Sequence, residues 1–210
     1  MTAFFHFCAS AVLPGGRGNI AARHLAHSKV MNTARFLLSA SIATLSLGAA
    51  AADLRPAGVF VEGGVAQQSG YSLTAGLLWP WSWRRDFGHT ELSGVTEAYV
   101  SHWSARGESQ RHGFTQVGLL PVIRMRLDAG RSPWFLEGGI GLSYMDNLYR
   151  RQNKEFSTRF NFVDVVGVGR NLDPDRRREV SLRFSHISNG GIKEPNPGEN
   201  FLQLRYAFLF

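Results

Sequence analysis

The chain has 210 residues, 44% hydrophobic and 19% charged, enough for one domain with a core and too evenly mixed for a low-complexity or disordered protein. Its formal net charge of +7 is inflated by the first 52 residues, which carry Arg17, Arg23, Lys29 and Arg35 and no acid. The remainder holds 19 bases against 16 acids, a net of +3, which excludes a nucleic-acid footprint as the reason for the basic balance.

In chain order, residues 1–30 read as an upstream extension without a function of its own. Met31 opens a predicted signal peptide over 31–52. Arg35 supplies its positive start, Phe36 to Leu47 its apolar stretch, and Ala50-Ala51-Ala52 a small-residue cleavage site before Asp53. The apolar run is too short for a membrane-spanning helix, which needs about 20 residues. The only cysteine, Cys8, lies upstream of that site, so the exported part, 53–210, has no disulfide to draw on.

From there the pattern is of period two. Tyr71, Leu73, Ala75, Leu77, Trp79 and Trp81 form one apolar set, and Leu92, Gly94, Ala98 and Val100 alternate with Glu91, Ser93, Glu97 and Ser101. Val117, Leu119, Pro121, Ile123, Met125 and Leu127 follow, then Trp134, Leu136, Ile140, Leu142 and Tyr144. The last set is Leu202, Leu204, Tyr206, Phe208 and Phe210, against Gln203 and Arg205. Turn-forming stretches at 67–70, 84–88, 105–110, 128–133, 146–155, 171–177 and after Ser188 make seven breaks, hence about eight strands. Eight is the smallest number usual for a membrane barrel.

Orientation separates a soluble barrel, apolar inside, from a membrane barrel, apolar outside. Trp79, Trp81, Trp103, Trp134, Tyr144, Tyr206 and Phe208 read as interfacial girdles. Glu62, Glu91, Glu97, Glu137, Arg124, Arg183 and Arg205, mixed in sign, can pair in a narrow lumen. The expected fold is therefore all-β: an eight-stranded antiparallel transmembrane β-barrel with a polar, filled lumen. The ending LQLRYAFLF, closing on Phe210, resembles the final strand of bacterial outer-membrane proteins, which the outer-membrane assembly machinery recognises.

With both ends in the periplasm, the seventh strand, about 178–189, runs outward and ends at His186 and Ser188. Both share the parity of Val180, Leu182 and Phe184, the lipid-facing set. A polar residue on that face is costly unless partnered. Residues i and i+2 on one face allow a histidine to act as base to a serine nucleophile. A bare His-x-Ser is also compatible with residues that merely satisfy lipid headgroups. No G-x-S-x-G elbow, H-E-x-x-H or phosphate loop competes. His89, His102 and His112 show no metal-ligand spacing and read as surface or girdle residues.

The longer pattern His186-x-Ser188-Asn189-x-x-x-Lys193-x-Pro195-Asn196-x-Gly198 resembles the signature of the outer-membrane lipid A 3-O-deacylases, the PagL family. That resemblance implies an eight-stranded barrel whose site faces the outer leaflet and hydrolyses the ester-linked 3-hydroxyacyl chain at position 3 of lipid A. It implies Ser188 as nucleophile, His186 as base and Asn189 as a supporting residue. Asn196 or the backbone N–H groups of Gly190 and Gly191 are expected to form the oxyanion hole. Membrane lipids and lipopolysaccharide are the implied partners, with no nucleic acid, no metal and no cofactor; a homodimer is compatible.

The third member departs from the family pattern, which has a glutamate twelve residues after the serine, where this chain has Asn200. Glu199 is the expected carboxylate, brought round by a bulge; Asn200 is the alternative, as an amide orienter, and Glu194 a more distant one. Arg106, Arg111, Arg150, Arg151, Lys154 and Lys193 could hold substrate phosphates, although solvation alone would also explain them. Other readings are a non-enzymatic barrel acting through its external loops as adhesin or anchor, and an acyltransferase, which the polar lumen disfavours.

Overall fold

A computed structural model describes residues 55–107 and 109–210. The proposed extension and signal peptide lie outside the described residues. Eight long strands form the barrel: β1 Gly58–Ala66, β2 Gly70–Phe87, β3 Thr90–Arg106, β4 Arg111–Leu127, β5 Trp134–Met145, β6 Phe160–Asn171, β7 Arg178–Ser188 and β8 Glu199–Leu209. Every neighbouring pair is antiparallel, and β1 pairs with β8 from Gly58↔Leu209 to Ala66↔Phe201, closing the sheet. Closure leaves no unpaired edge, the condition a sheet must meet in lipid.

Burial follows the alternation and reverses the soluble pattern. Leu73, Ile140, Val166 and Leu204 are each more than 60% exposed, whereas Glu97, Arg183 and Arg205 are at most 2% exposed. Apolar residues therefore face lipid and charges fill the lumen, as expected from the alternation.

Arg183 is the hub of that filling. It donates to both oxygens of Glu97 at 2.8 and 2.9 Å and to Glu137 at 2.6 Å, with Glu62 3.7 Å away. Arg124 bridges Glu137 and Glu179, and Arg205 lies 3.0 Å from Glu97 with its guanidinium over the Phe60 ring. Four glutamates facing three arginines in one enclosed cluster compensate one another's desolvation, which no single member could survive alone.

The outer end of the lumen differs from the expectation of a wholly polar interior. Trp103, Phe114, Tyr149, Phe156 and Phe201 pack there as an aromatic plug, with Trp103 and Tyr149 edge to face at 5.4 Å. Trp103, expected in the lipid-facing girdle, thus points inward at 2% exposure: it has the inward parity of Glu97 and Ser101, and its indole N–H donates to Ser101. Tyr149 and Phe156 come from the loop 146–159, which folds back over the barrel mouth.

Candidate active site

The end of β7 carries the His-Ser pair because the strand keeps its pleat to its last residue. Leu182 and Phe184 face outward and are about half exposed, and His186 and Ser188 continue that face with more cover. Pairing sets their neighbours: Asn200 of β8 stands opposite His186 on one side and Asp164 of β6 on the other, while Phe162 stands opposite Ser188. His186 Nδ1 lies 2.7 Å from Asn200 Oδ1. With that oxygen as acceptor, Nδ1 carries the proton and Nε2 is left with a lone pair. Ser188 is 8% exposed, and the N–H of Gly190 approaches its hydroxyl at 3.5 Å, the long limit of a hydrogen bond.

The loop 189–198 is built by its asparagines and glycines. Asn189 donates its side-chain amide to Ser157 Oγ at 2.9 Å and to the Lys193 carbonyl at 2.6 Å, while its own oxygen accepts from Gly191 N–H. Its backbone N–H donates to Asn196 Oδ1 at 3.0 Å. These bonds tie the loop to itself and to the loop 146–159 beside it. They also commit the Gly191 N–H and the Asn189 amide, leaving the Gly190 N–H as the donor at the serine.

Gly198 is required twice over. Its φ is +58°, and a Cβ there would stand 2.5 Å from Cε1 and 3.1 Å from Nε2 of His186. The imidazole edge occupies the space that any side chain would need.

Glu199 does not meet His186. The β7–β8 register runs without a shift through Glu199↔Ile187 and Asn200↔His186, so the bulge needed to turn the carboxylate outward is absent there. Period two then sends Glu199 into the lumen, where it is 1% exposed. There it accepts from Tyr149 Oη at 2.8 Å and Lys154 Nζ at 3.1 Å, with Arg151 Nε at 3.1 Å. Burial, and next the charge of Glu199, push the Tyr149 phenol far above its ordinary range, so it remains a donor. Glu199 thus anchors the mouth loop. Glu194 caps the backbone N–H of Asn196 within its own loop.

The basic residues divide. Arg151 and Lys154 are engaged by Glu199 and Arg150 by Glu155 at 2.7 Å, while exposed Lys193 shares a loop with the site. Arg106 and Arg111 sit on β3 and β4, and β3 is four places from β7 in a ring of eight, directly across the barrel. Ring order thus sets them apart from a substrate bound at Ser188.

Asp164 escaped the sequence reading. It is half-buried on the outward face of β6, between Phe162 and Val166, opposite His186. The available signal was an acid at the lipid-facing parity, between Phe162 and Val166. Among the described residues, no group of three or more His, Cys, Asp or Glu is placed to hold a metal ion.

The family model for lipid A 3-O-deacylase (PagL) matches residues 68–208 of the chain. The lipid A deacylase PagL of Bordetella bronchiseptica is 32% identical over 176 residues, covering 80% of this chain and 93% of the relative. That of Pseudomonas aeruginosa is 29% identical over 158 residues, covering 74% and 87%. A crystal structure of the outer membrane enzyme PagL superposes with a TM-score of 0.63 at 28% identity, covering 73% of this chain and all of that one.

Proposed function

The chain belongs to the lipid A 3-O-deacylase (PagL) family, and on that basis we propose that Ser188 and His186 remove the ester-linked 3-hydroxyacyl chain at position 3 of lipid A. The protein is an outer-membrane β-barrel enzyme that deacylates lipid A, and the reading as a non-enzymatic adhesin or anchor is set aside.

The observation that carries the assignment of residues is the outward-facing pair, with His186 Nδ1 held by Asn200 at 2.7 Å among exposed apolar side chains. Nε2 takes the Ser188 proton, and Oγ attacks the ester carbonyl. The Gly190 N–H and the Asn196 amide stabilise the oxyanion. His186 returns the proton to the departing sugar hydroxyl, and water, deprotonated by the same nitrogen, releases the 3-hydroxy fatty acid from the acyl-enzyme. Asn200 fixes the tautomer but brings no charge; Asp164, opposite His186 on β6, supplies a negative charge near the imidazolium. No step calls on a metal or cofactor.

Two further parts of the reading concern biogenesis. Cleavage before Asp53 releases 53–210, and the closing strand ending in Phe210 is what the assembly machinery reads.

Mass spectrometry of lipid A incubated with the detergent-refolded protein tests the chemistry. Wild type is expected to remove one hydroxyacyl mass, and Ser188→Ala and His186→Ala to leave lipid A unchanged. Undiminished deacylation by folded Ser188→Ala would refute the serine mechanism.

A further inference from the structure

Across the barrel from Ser188, the outer rim of β2–β4 presents a second arrangement of polar groups. Arg106 of β3 and Arg111 of β4 are direct cross-strand partners. Both have outward parity and both are exposed. Like charges opposite one another on one sheet face destabilise it, and among the described residues neither arginine has an acidic partner. Arg111 is nevertheless held in place. Nε donates to Ser104 Oγ at 2.9 Å, and Nη2 donates to the Ser69 and Ser104 carbonyls at 2.9 and 2.8 Å. Its guanidinium lies 5.1 Å from the centre of the Tyr71 ring, a residue 52% exposed on the lipid-facing wall. One edge of the fork is therefore fixed by neutral acceptors, and among the described residues Nη1 has no hydrogen-bond partner. Below this rim the wall is apolar: Leu73, Val100, Val117 and Leu119 are each about half exposed or more.

A pre-positioned guanidinium, a second arginine opposite it without a counter-ion among the described residues, an aromatic platform at the interface and an apolar wall below match a lipid with an anionic head. Guanidinium forks are suited to phosphate oxygens. We propose that this rim is a second, non-catalytic lipid site, in which Arg106 and Arg111 share a phosphate of a lipopolysaccharide molecule while its acyl chains lie along β2–β4. The bound phosphate removes the repulsion within the arginine pair. The site stands apart from the catalytic reading, because no residue is common to both.

Native mass spectrometry of the Ser188→Ala protein, which does not consume its ligand, tests the proposal with phosphorylated lipid A as probe. Two retained lipids are expected, and Arg106→Gln/Arg111→Gln in that background should weaken retention of one of them at least tenfold. Dephosphorylated lipid A should reproduce the loss, and Arg106→Lys/Arg111→Lys should restore part of the retention. In the otherwise wild-type enzyme, Arg106→Gln/Arg111→Gln should leave kcat/KM within twofold. Heat-dependent gel mobility confirms that each variant is a closed barrel. Undiminished retention of both lipids by the glutamine pair would overturn the proposal. So would a tenfold rise in KM, which would assign the arginines to the substrate. Displacement of the second lipid by millimolar inorganic phosphate would make the site one for free anion. Conversion of a wild-type dimer to a monomer would make the rim a contact between copies.

Discussion

His186 needs a partner at Nδ1 that holds one tautomer, and an amide oxygen can do that, as in Cys-His-Asn sites. What the amide cannot do is compensate the positive charge that appears on the ring. Asn200→Ala should lower kcat on the order of 10- to 100-fold, with the barrel intact by heat-dependent gel mobility. Glu199→Ala should leave the chemistry nearer wild type and instead free the loop 146–159, read as faster proteolysis or amide exchange there; equal loss of kcat in the two variants would return Glu199 to the catalytic set. If Asp164 supplies the missing charge, Asp164→Asn should reduce kcat by roughly tenfold, about 1.4 kcal/mol of transition-state stabilisation, without raising KM. An unchanged kcat would reduce Asp164 to a headgroup contact.

At the scale of elements, the site is a junction between strand and loop. β7 and β8 hold their register to the last pair, and the chain then turns through three glycines at positive φ, Gly190, Gly191 and Gly198. Gly190 and Gly198 lie near the two ends of the loop 189–198, and Gly198 also leaves room for the imidazole. Gly198→Ala should therefore abolish most activity while the barrel still closes, because the added methyl meets the ring 2.5 Å away and the backbone conformation resists it. Activity near wild type would mean that the ring moves aside without cost. Asn189 belongs to this scale as well: its three side-chain bonds hold the loop rather than the substrate.

For the whole molecule, stability comes from closure and from a charged interior. Arg183 touches three of the four glutamates of the cluster, so its removal leaves Glu62 without a cation beside it and Glu97 and Glu137 with one each, Arg205 and Arg124. Breaking one buried pair typically costs about 3–5 kcal/mol. Arg183→Met should lower the unfolding temperature markedly in detergent, with residual activity in the fraction that remains folded, since no lumen group of the cluster reaches His186 or Ser188. Retained thermal stability would show that the glutamates protonate instead. The same construction explains how the outer wall can be given over to lipid, since nothing on it is needed for cohesion.

Alternation along the chain by itself determined much of this protein. A period of two, seven breaks and acids on the non-apolar face point to a barrel of about eight strands, and parity alone puts His186 and Ser188 on the same face as Val180, Leu182 and Phe184. These are local properties, set by the two-residue pleat. Other features depend on what stands opposite across a strand pair or around the ring, which no single strand encodes. The choice between neighbours Glu199 and Asn200 turned on a bulge that the β7–β8 register does not contain. Asp164 came to His186 only through β6 pairing, and Arg106 and Arg111 were removed from the substrate only by ring order. Trp103, read by type as a girdle residue, went inward because its pleat position put it with Glu97 and Ser101, and the mouth loop supplied aromatic partners there. Tertiary pairing decided these because each depends on distances between segments far apart in the chain.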